Sequence, residues 1–202
     1  GRREQFKKSI PLVLRPDLLL TENGFALTEL DSVPGGIGLT AYLNRLYQKL
    51  GNTMIGADDS MIGGFYETLS KLTPDLEKPL IAIVVSEEGA TYRPEFQWLA
   101  AELRQLGYPV YCLEPGEIMP LGNTLCAPVE GSPEKIDILY RFFELFDLRN
   151  VDTVDEIFHS VEAGEVVVTP PMLGYQEEKI SLALFHHPRL ESYWHENISR
   201  RS

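Results

Sequence analysis

An α/β fold is predicted by three features of the chain: a continuous apolar run, an alternation of strand-like and helix-like segments behind it, and a charged hairpin ahead of it. The run is Leu80-Ile81-Ala82-Ile83-Val84-Val85, a pattern that suits a strand covered on both faces, as in a parallel sheet. Pro94 to Leu106 follows with helical periodicity, Pro94 suiting a first turn and Gly107 an end. Pro109 to Leu113 then completes a βαβ unit. Ile136 to Tyr140 reads as a third strand, Val154 to Ala163 as a helix and Val166 to Thr169 as a fourth strand. Gln176 to Phe185 and Arg189 to Asn197 read as closing helices. The expected architecture is a hairpin-plus-helices section, residues 1–75, joined to a small Rossmann-like section, residues 76–202. The latter should carry a mainly parallel sheet with helices on both faces.

In the first section, Ile10 to Leu20 and Phe25 to Leu30 are strand-like, with a corner at Glu22-Asn23-Gly24. Pro34-Gly35-Gly36 breaks that pattern. Ile37 to Leu50 then follows a helical period, with Leu39, Leu43, Leu46 and Leu50 on one stripe and Gly51 as the closing glycine. Met61 to Leu72 reads as a second helix, and Pro74 to Pro79 as a linker.

Charge and motifs narrow the function classes. With 18 Lys and Arg against 30 Asp and Glu, the net charge of −12 argues against a nucleic-acid surface or an anionic membrane as partner. No apolar run reaches spanning length, and nothing after Gly1-Arg2-Arg3-Glu4-Gln5 resembles a secretory signal. Cys112 and Cys126 are the only cysteines, too few for a disulfide scaffold; they read as buried free thiols in a reducing, cytoplasmic setting. The sequence contains no Walker-type lysine, no complete G-x-G-x-x-G, no zinc spacing and no Ser-His-Asp constellation.

The chemistry concentrates in the hairpin. Arg15 and Asp17 stand two apart on one strand, and Glu29 and Asp31 two apart on the other, so each pair shares a face. A two-residue Asn23-Gly24 loop would set Asp17 opposite Leu30 and split the pairs. A three-residue Glu22-Asn23-Gly24 corner, with Gly24 at positive φ in a G1 bulge, sets Asp17 opposite Glu29 and Arg15 opposite Asp31. All four then share one face. Crowded carboxylates repel unless a cation sits among them, and oxygen ligands of this kind suit Mg²⁺. Arg15 offers a planar fork for a phosphate oxygen. The competing reading is an ordinary cross-strand ion-pair ladder.

Arg15-x-Asp17, a short hairpin, then Glu29-x-Asp31-Ser32 resembles the Arg-x-Asp…Glu-x-Asn segment of glutathionylspermidine synthetases and related circularly permuted ATP-grasp ligases. The resemblance implies that Asp17, Glu29 and Asp31 hold magnesium ions bridging ATP phosphates, and that Arg15 faces the transferred phosphoryl as a catalytic residue. Asp31 stands where the family usually has Asn, and Pro34-Gly35-Gly36-Ile37-Gly38 where it has a Ser-containing substrate turn. More loosely, Ile81 to Glu114 resembles the small insert of that class, Asp137 to Arg141 its strand-plus-arginine element, and Thr169-Pro170-Pro171 with Glu178-Lys179 the lead into the ATP-grasp. Ser32, Gly35, Gly36 and Arg141 are then candidate substrate-binding residues. The lysines and glycine-rich loop that clamp ATP in this class lie beyond the segment resembling Lys179. The chain is therefore expected to be a fragment that binds ATP weakly or not at all.

Each candidate has a structural alternative. The Gly35–Gly38 amides either cradle an anion at a helix start or simply form a tight turn. Arg141 either faces an anionic ligand or pairs with Glu144 or Asp147. Ser86-Glu87-Glu88-Gly89 reads as a solvated connection, and the histidines as surface or capping residues. The expected function is an ATP-dependent carboxylate–amine ligase using Mg²⁺ and ATP, with small-molecule acid and amine substrates and a C-terminal ATP-grasp region as partner. The rival is a non-catalytic α/β binding domain whose charged hairpin is structural.

Overall fold

The computed structural model describes residues 10–56 and 58–198. The fold is mixed α/β. Strands β1 (Arg15–Thr21) and β2 (Gly24–Asp31) form an antiparallel hairpin, followed by helices α1 (Ile37–Lys49) and α2 (Ser60–Ser70). Strand β3 (Ile81–Val85), helix α3 (Arg93–Gln105) and strand β4 (Val110–Leu113) make the expected βαβ unit. Between β4 and the next parallel strand lies a three-stranded antiparallel sheet, β5 (Met119–Leu121), β6 (Thr124–Val129) and β7 (Ser132–Lys135), which the sequence reading did not anticipate. Strand β8 (Ile138–Phe142), helix α4 (Val154–Glu162) and strand β9 (Val167–Thr169) complete the parallel sheet, in the order β4-β3-β8-β9. In place of a closing helix over Gln176 to Phe185, the chain makes a 3₁₀ segment, Lys179–His186; α5 (Glu191–Asn197) follows.

Strand parity sorts the side chains into two cores, because successive residues point to opposite faces. Ile81, Ile83, Val85, Ile138, Tyr140 and Phe142 face a layer built from α1, α2 and α3. Ala82, Val84 and Leu139 face the opposite layer, where α4 contributes Ile157 and the antiparallel sheet Leu125 and Ala127. Val33, Ile37 and Ala41 from the N-terminal section share the first core with β3, β8 and α3, so the two sections have a hydrophobic core in common.

The leucine stripe of α1 turns outward: Leu39 is 55 % exposed and Leu50 70 % exposed. Ile37, Gly38, Ala41 and Asn44 face inward instead. The reason is the closeness of α3. A Cβ at Gly38 would collide with the backbone carbonyl of Glu95, so only the small-residue face of α1 can lie against that helix.

The same parity carries Arg141 of β8 into the second core, between Leu139 and Phe143. It is 0 % exposed. Its Nε donates to the Pro170 carbonyl at 2.8 Å, Nη1 to the Phe143 carbonyl at 2.7 Å, and Nη2 to the Pro171 carbonyl at 2.8 Å and to the Glu177 carboxylate. Burial lowers the guanidinium's pKa and Glu177 opposes that shift. A buried charge of this kind persists only when its donors are satisfied. Removing one partner of such a pair costs about 3–5 kcal/mol. Arg141→Met, which leaves Glu177 unpaired, is expected to lower unfolding stability by about that amount, measured by urea denaturation. A loss under about 1 kcal/mol, within the range of a surface pair, would show that the clamp contributes little.

Candidate functional site

The charged end of the hairpin has the register that gathers its four side chains. Arg15 pairs with Asp31 and Asp17 with Glu29. The device that produces this register differs from the expected one. The corner is a two-residue turn, Glu22-Asn23, with Thr21 opposite Gly24 at φ 131°. The extra residue is Thr28, left unpaired between Glu29 and Leu27 as a bulge. Thr28 suits that position because its hydroxyl donates to the Asp17 carbonyl at 3.0 Å. Beyond the bulge, Leu18 opposite Leu27 and Leu20 opposite Phe25 form an exposed apolar face.

The crowded carboxylates already have counter-ions. Arg15 Nη2 lies 3.1 Å from Asp31 Oδ2 and Nε lies 3.3 Å from Asp17 Oδ1, while Nη1 donates to the Gly35 carbonyl at 3.3 Å. Lys179 Nζ lies 2.8 Å from Glu29 Oε1, and that hydrogen bond raises the lysine's pKa. Asp31 also accepts from the Val33 amide at 2.9 Å, which holds the chain as it leaves β2. Arg15, Asp17 and Asp31 are partly exposed, so each of the Arg15 pairs adds at most about 1 kcal/mol.

The cluster opens into a cavity of about 220 Å³ lined by Arg15, Glu29, Asp31, Ser32, Glu144, Glu177 and Lys179. Ser32 is 5 % exposed and its Oγ has no hydrogen-bond partner among the described residues. Glu144 follows β8 and Glu177 follows β9, so the acids come from the C-terminal ends of parallel strands. The chain moves to one side of β3 to form β4 and to the other to form β8. Such a reversal is where open α/β sheets leave a crevice. The Tyr140 hydroxyl donates to the Pro34 carbonyl at 3.5 Å, setting the turn before α1 over β8.

The glycine turn is placed differently from the substrate cradle expected of it. Gly36 sits at φ 86°, and its amide donates to Glu95 Oε1; the Leu39 amide donates to Glu95 Oε2 at 3.0 Å. An anion does sit at the start of α1, but it is a side chain of α3. Gly35 is needed for space, because a Cβ there would strike the Tyr92 ring. Arg141, the other expected substrate residue, is committed to backbone carbonyls and Glu177 rather than to Glu144 or Asp147, and it does not line the cavity. Glu95 and Glu177 were not singled out by sequence reasoning. Each acts on groups distant in the chain, and no local spacing signals them.

For Mg²⁺ the donor set fits in kind: Asp17, Glu29 and Asp31 offer hard oxygens on one face, beside a buried hydroxyl without a partner. Among the described residues, no three His, Cys, Asp or Glu side chains already converge as a ligand group. Receiving a cation would therefore require Lys179 to leave Glu29. No protein-family model matches the chain, and no curated protein matches it.

Burial, then the neighbouring Glu177 carboxylate, pushes the Glu144 carboxyl up to about 7, while Arg141 pulls it down. A carboxyl raised from its ordinary 4.5 contributes stability that is full below that value and is lost as pH rises through about 7. Thermal melting between pH 5 and about 8 should show this slope in the native chain and a flatter one in Glu144→Gln. The variant should be at least as stable at the alkaline end. Identical slopes would show that Glu144 does not titrate in that window.

Proposed function

We propose that the chain is the phosphate- and substrate-handling part of an ATP-dependent carboxylate–amine ligase of the circularly permuted ATP-grasp kind. The observation that supports this best is the hairpin register, which sets Arg15, Asp17, Glu29 and Asp31 on one face, with Arg15, Glu29 and Asp31 lining a cavity. Asp17, Glu29 and Asp31 would hold Mg²⁺, which supplies neutralisation of the charge on transferring phosphates. Arg15 would turn from its carboxylate partners toward the transferred phosphoryl, and Lys179 would leave Glu29 for an incoming phosphate. Ser32 would orient the substrate. We assign the nucleotide clamp to polypeptide outside these residues. Among the described residues no helix is long and apolar enough to cross a membrane. The free Cys112 and Cys126 support a reducing, cytoplasmic setting.

A second reading has its own support. Each charge of the four-residue cluster has a partner: Arg15 with Asp17 and Asp31, Lys179 with Glu29. This is the pattern of a binding domain whose charged hairpin is structural.

The two readings separate on Glu29→Gln, which keeps size and hydrogen bonding and removes a metal-binding charge. In the polypeptide that includes the nucleotide clamp, the ligase reading expects ATP turnover to be abolished with thermal stability equal or higher. Unchanged turnover, or a sharply destabilised fold, would favour the structural reading. Calorimetric titration of these 202 residues with Mg-ATP is expected to show weak binding or none. Tight binding would mean that the nucleotide site lies within this chain.

A further inference from the structure

The outward face of α1 carries Leu39, Tyr42, Leu43, Leu46, Tyr47 and, at the C-cap, Leu50. Each is between 38 % and 70 % exposed, so no described element covers this face. At 3.6 residues per turn the six positions fall within one stripe, the leucines along its middle and the tyrosines on opposite edges. The helix cannot turn this stripe inward. Gly38 lies against the Glu95 backbone, and Ile37, Ala41 and Asn44 occupy the buried side. The packing of α1 on α3 therefore fixes the apolar stripe outward.

The order of these residues is a palindrome: Leu-x-x-Tyr-Leu-x-x-Leu-Tyr-x-x-Leu, from Leu39 to Leu50. Two copies of α1 laid antiparallel, with a two-fold axis between Asn44 and Arg45, bring Leu39 level with Leu50 of the second copy. Tyr42 then stands level with Tyr47, and Leu43 with Leu46. A two-fold interface needs a patch that complements itself, and the palindrome supplies one; an unrelated partner helix requires no such order. The leucines step by four, three and four residues, the spacing that seats side chains of one helix between those of another. Charge does not oppose the pairing. Helix α1 carries Arg45 and Lys49 and no acid, and Arg45 is held off the stripe by Asp59 and Glu102 at 2.6 Å each. An antiparallel pair also sets the helix dipoles in opposition, their favourable arrangement. Taking about 200 Å² for a large side chain, six that are half exposed offer roughly 600 Å² on each copy, at the upper end of patches left open on monomers. Two copies would bury roughly 1,200 Å², the lower end of stable specific interfaces.

We propose that two copies of this chain associate through α1, antiparallel and two-fold symmetric, with the leucines as the seam and the tyrosines closing its edges. The inference does not rest on the function proposed above. An interface of this size holds with micromolar affinity, so the association is reversible and depends on concentration. The other large apolar surface, the leucines and Phe25 of the hairpin, shows no such self-complementary order and serves as the comparison.

The test is sedimentation equilibrium of the chain from about 1 to about 200 µM, a range that brackets micromolar dissociation. The expected result is a reversible monomer–dimer equilibrium. Leu46→Glu, which sets two like charges beside the two-fold axis, should weaken the dimer more than tenfold with the fold intact by circular dichroism. Leu20→Glu on the hairpin should leave it unchanged. If Leu46→Glu does not fold, Leu50→Glu, at the most exposed position of the stripe, takes its place. The antiparallel register has its own readout, a thiol cross-linker with a reach of about 8 Å. Leu39 of one copy lies about 16 Å along the axis from Leu39 of the other, but level with Leu50. An equal mixture of Leu39→Cys and Leu50→Cys chains should therefore cross-link, and each variant alone no more than the native chain with its Cys112 and Cys126. A single-chain mass throughout the range overturns the proposal, as does a dimer that survives in folded Leu46→Glu or is lost in Leu20→Glu instead. Cross-linking of either variant alone as efficient as that of the mixture overturns the antiparallel pairing.

Discussion

The Arg141 clamp is the constraint on which the geometry of the acidic cavity depends. Strand parity in β8 leaves this side chain no route to solvent, so its charge has to be met inside the second core. The acceptors come from the chain after β9, the Pro170 and Pro171 carbonyls and the Glu177 carboxylate. Meeting them ties the exit of β9 to the exit of β8. Glu177 is held in turn by the Leu145 amide at 3.1 Å, which brings it beside Glu144. Lys179, two residues on from Glu177, reaches Glu29 on the hairpin. A buried arginine that does not line the acidic cavity thus sets where three of that cavity's charged residues stand.

The hairpin depends on the same anchoring. Two strands alone are marginal in water, and β1 and β2 present their leucines and Phe25 to solvent over much of their length. What holds the base is polar: Arg15 to Gly35, Asp31 to the Val33 amide, and Lys179 to Glu29. These contacts are individually weak in partly exposed settings. They are also exchangeable, because a cation or a phosphate entering the cavity competes for the same groups. The arrangement that satisfies the cluster is therefore the one that any ligand must rearrange.

How much was legible follows from what each element needs. Strands β3 and β8 are covered on both faces and betray themselves as apolar runs. Helix α3 carries a proline at its start and a glycine after its end. The antiparallel sheet β5–β7 was not legible. Its strands are short, include Pro120, Pro128 and Pro133, and β7 is exposed along its whole length. Such segments look like loop from composition, since proline is confined to strand edges and bulges. The hairpin register was legible because only one pairing gathers the charges. The bulge at Thr28 that achieves it was not, because a bulge is chosen by a hydrogen bond between strands and leaves no periodic trace. In α1 both helix faces carry apolar residues, and the choice between them was made by Gly38 against the Glu95 backbone, a contact across 57 positions of sequence that no local pattern reports.

Glu95 shows how a correct physical inference acquired a different owner. The amides after Pro34-Gly35-Gly36 do attract an anion, as a helix start should. The carboxylate that answers them belongs to α3, and it bonds Gly36 and Leu39 together. One side chain thereby caps α1 and fixes it against α3, which explains why the leucine stripe is left facing out. With Glu95 on those two amides, a polar group still without a partner lies on the other side of the turn, the Ser32 hydroxyl. The glycines therefore serve the site indirectly: Gly36 supplies the left-handed conformation and Gly35 the room beside Tyr92. Together they bring β2 and α1 close enough for Arg15 to span from Asp31 to the Gly35 carbonyl.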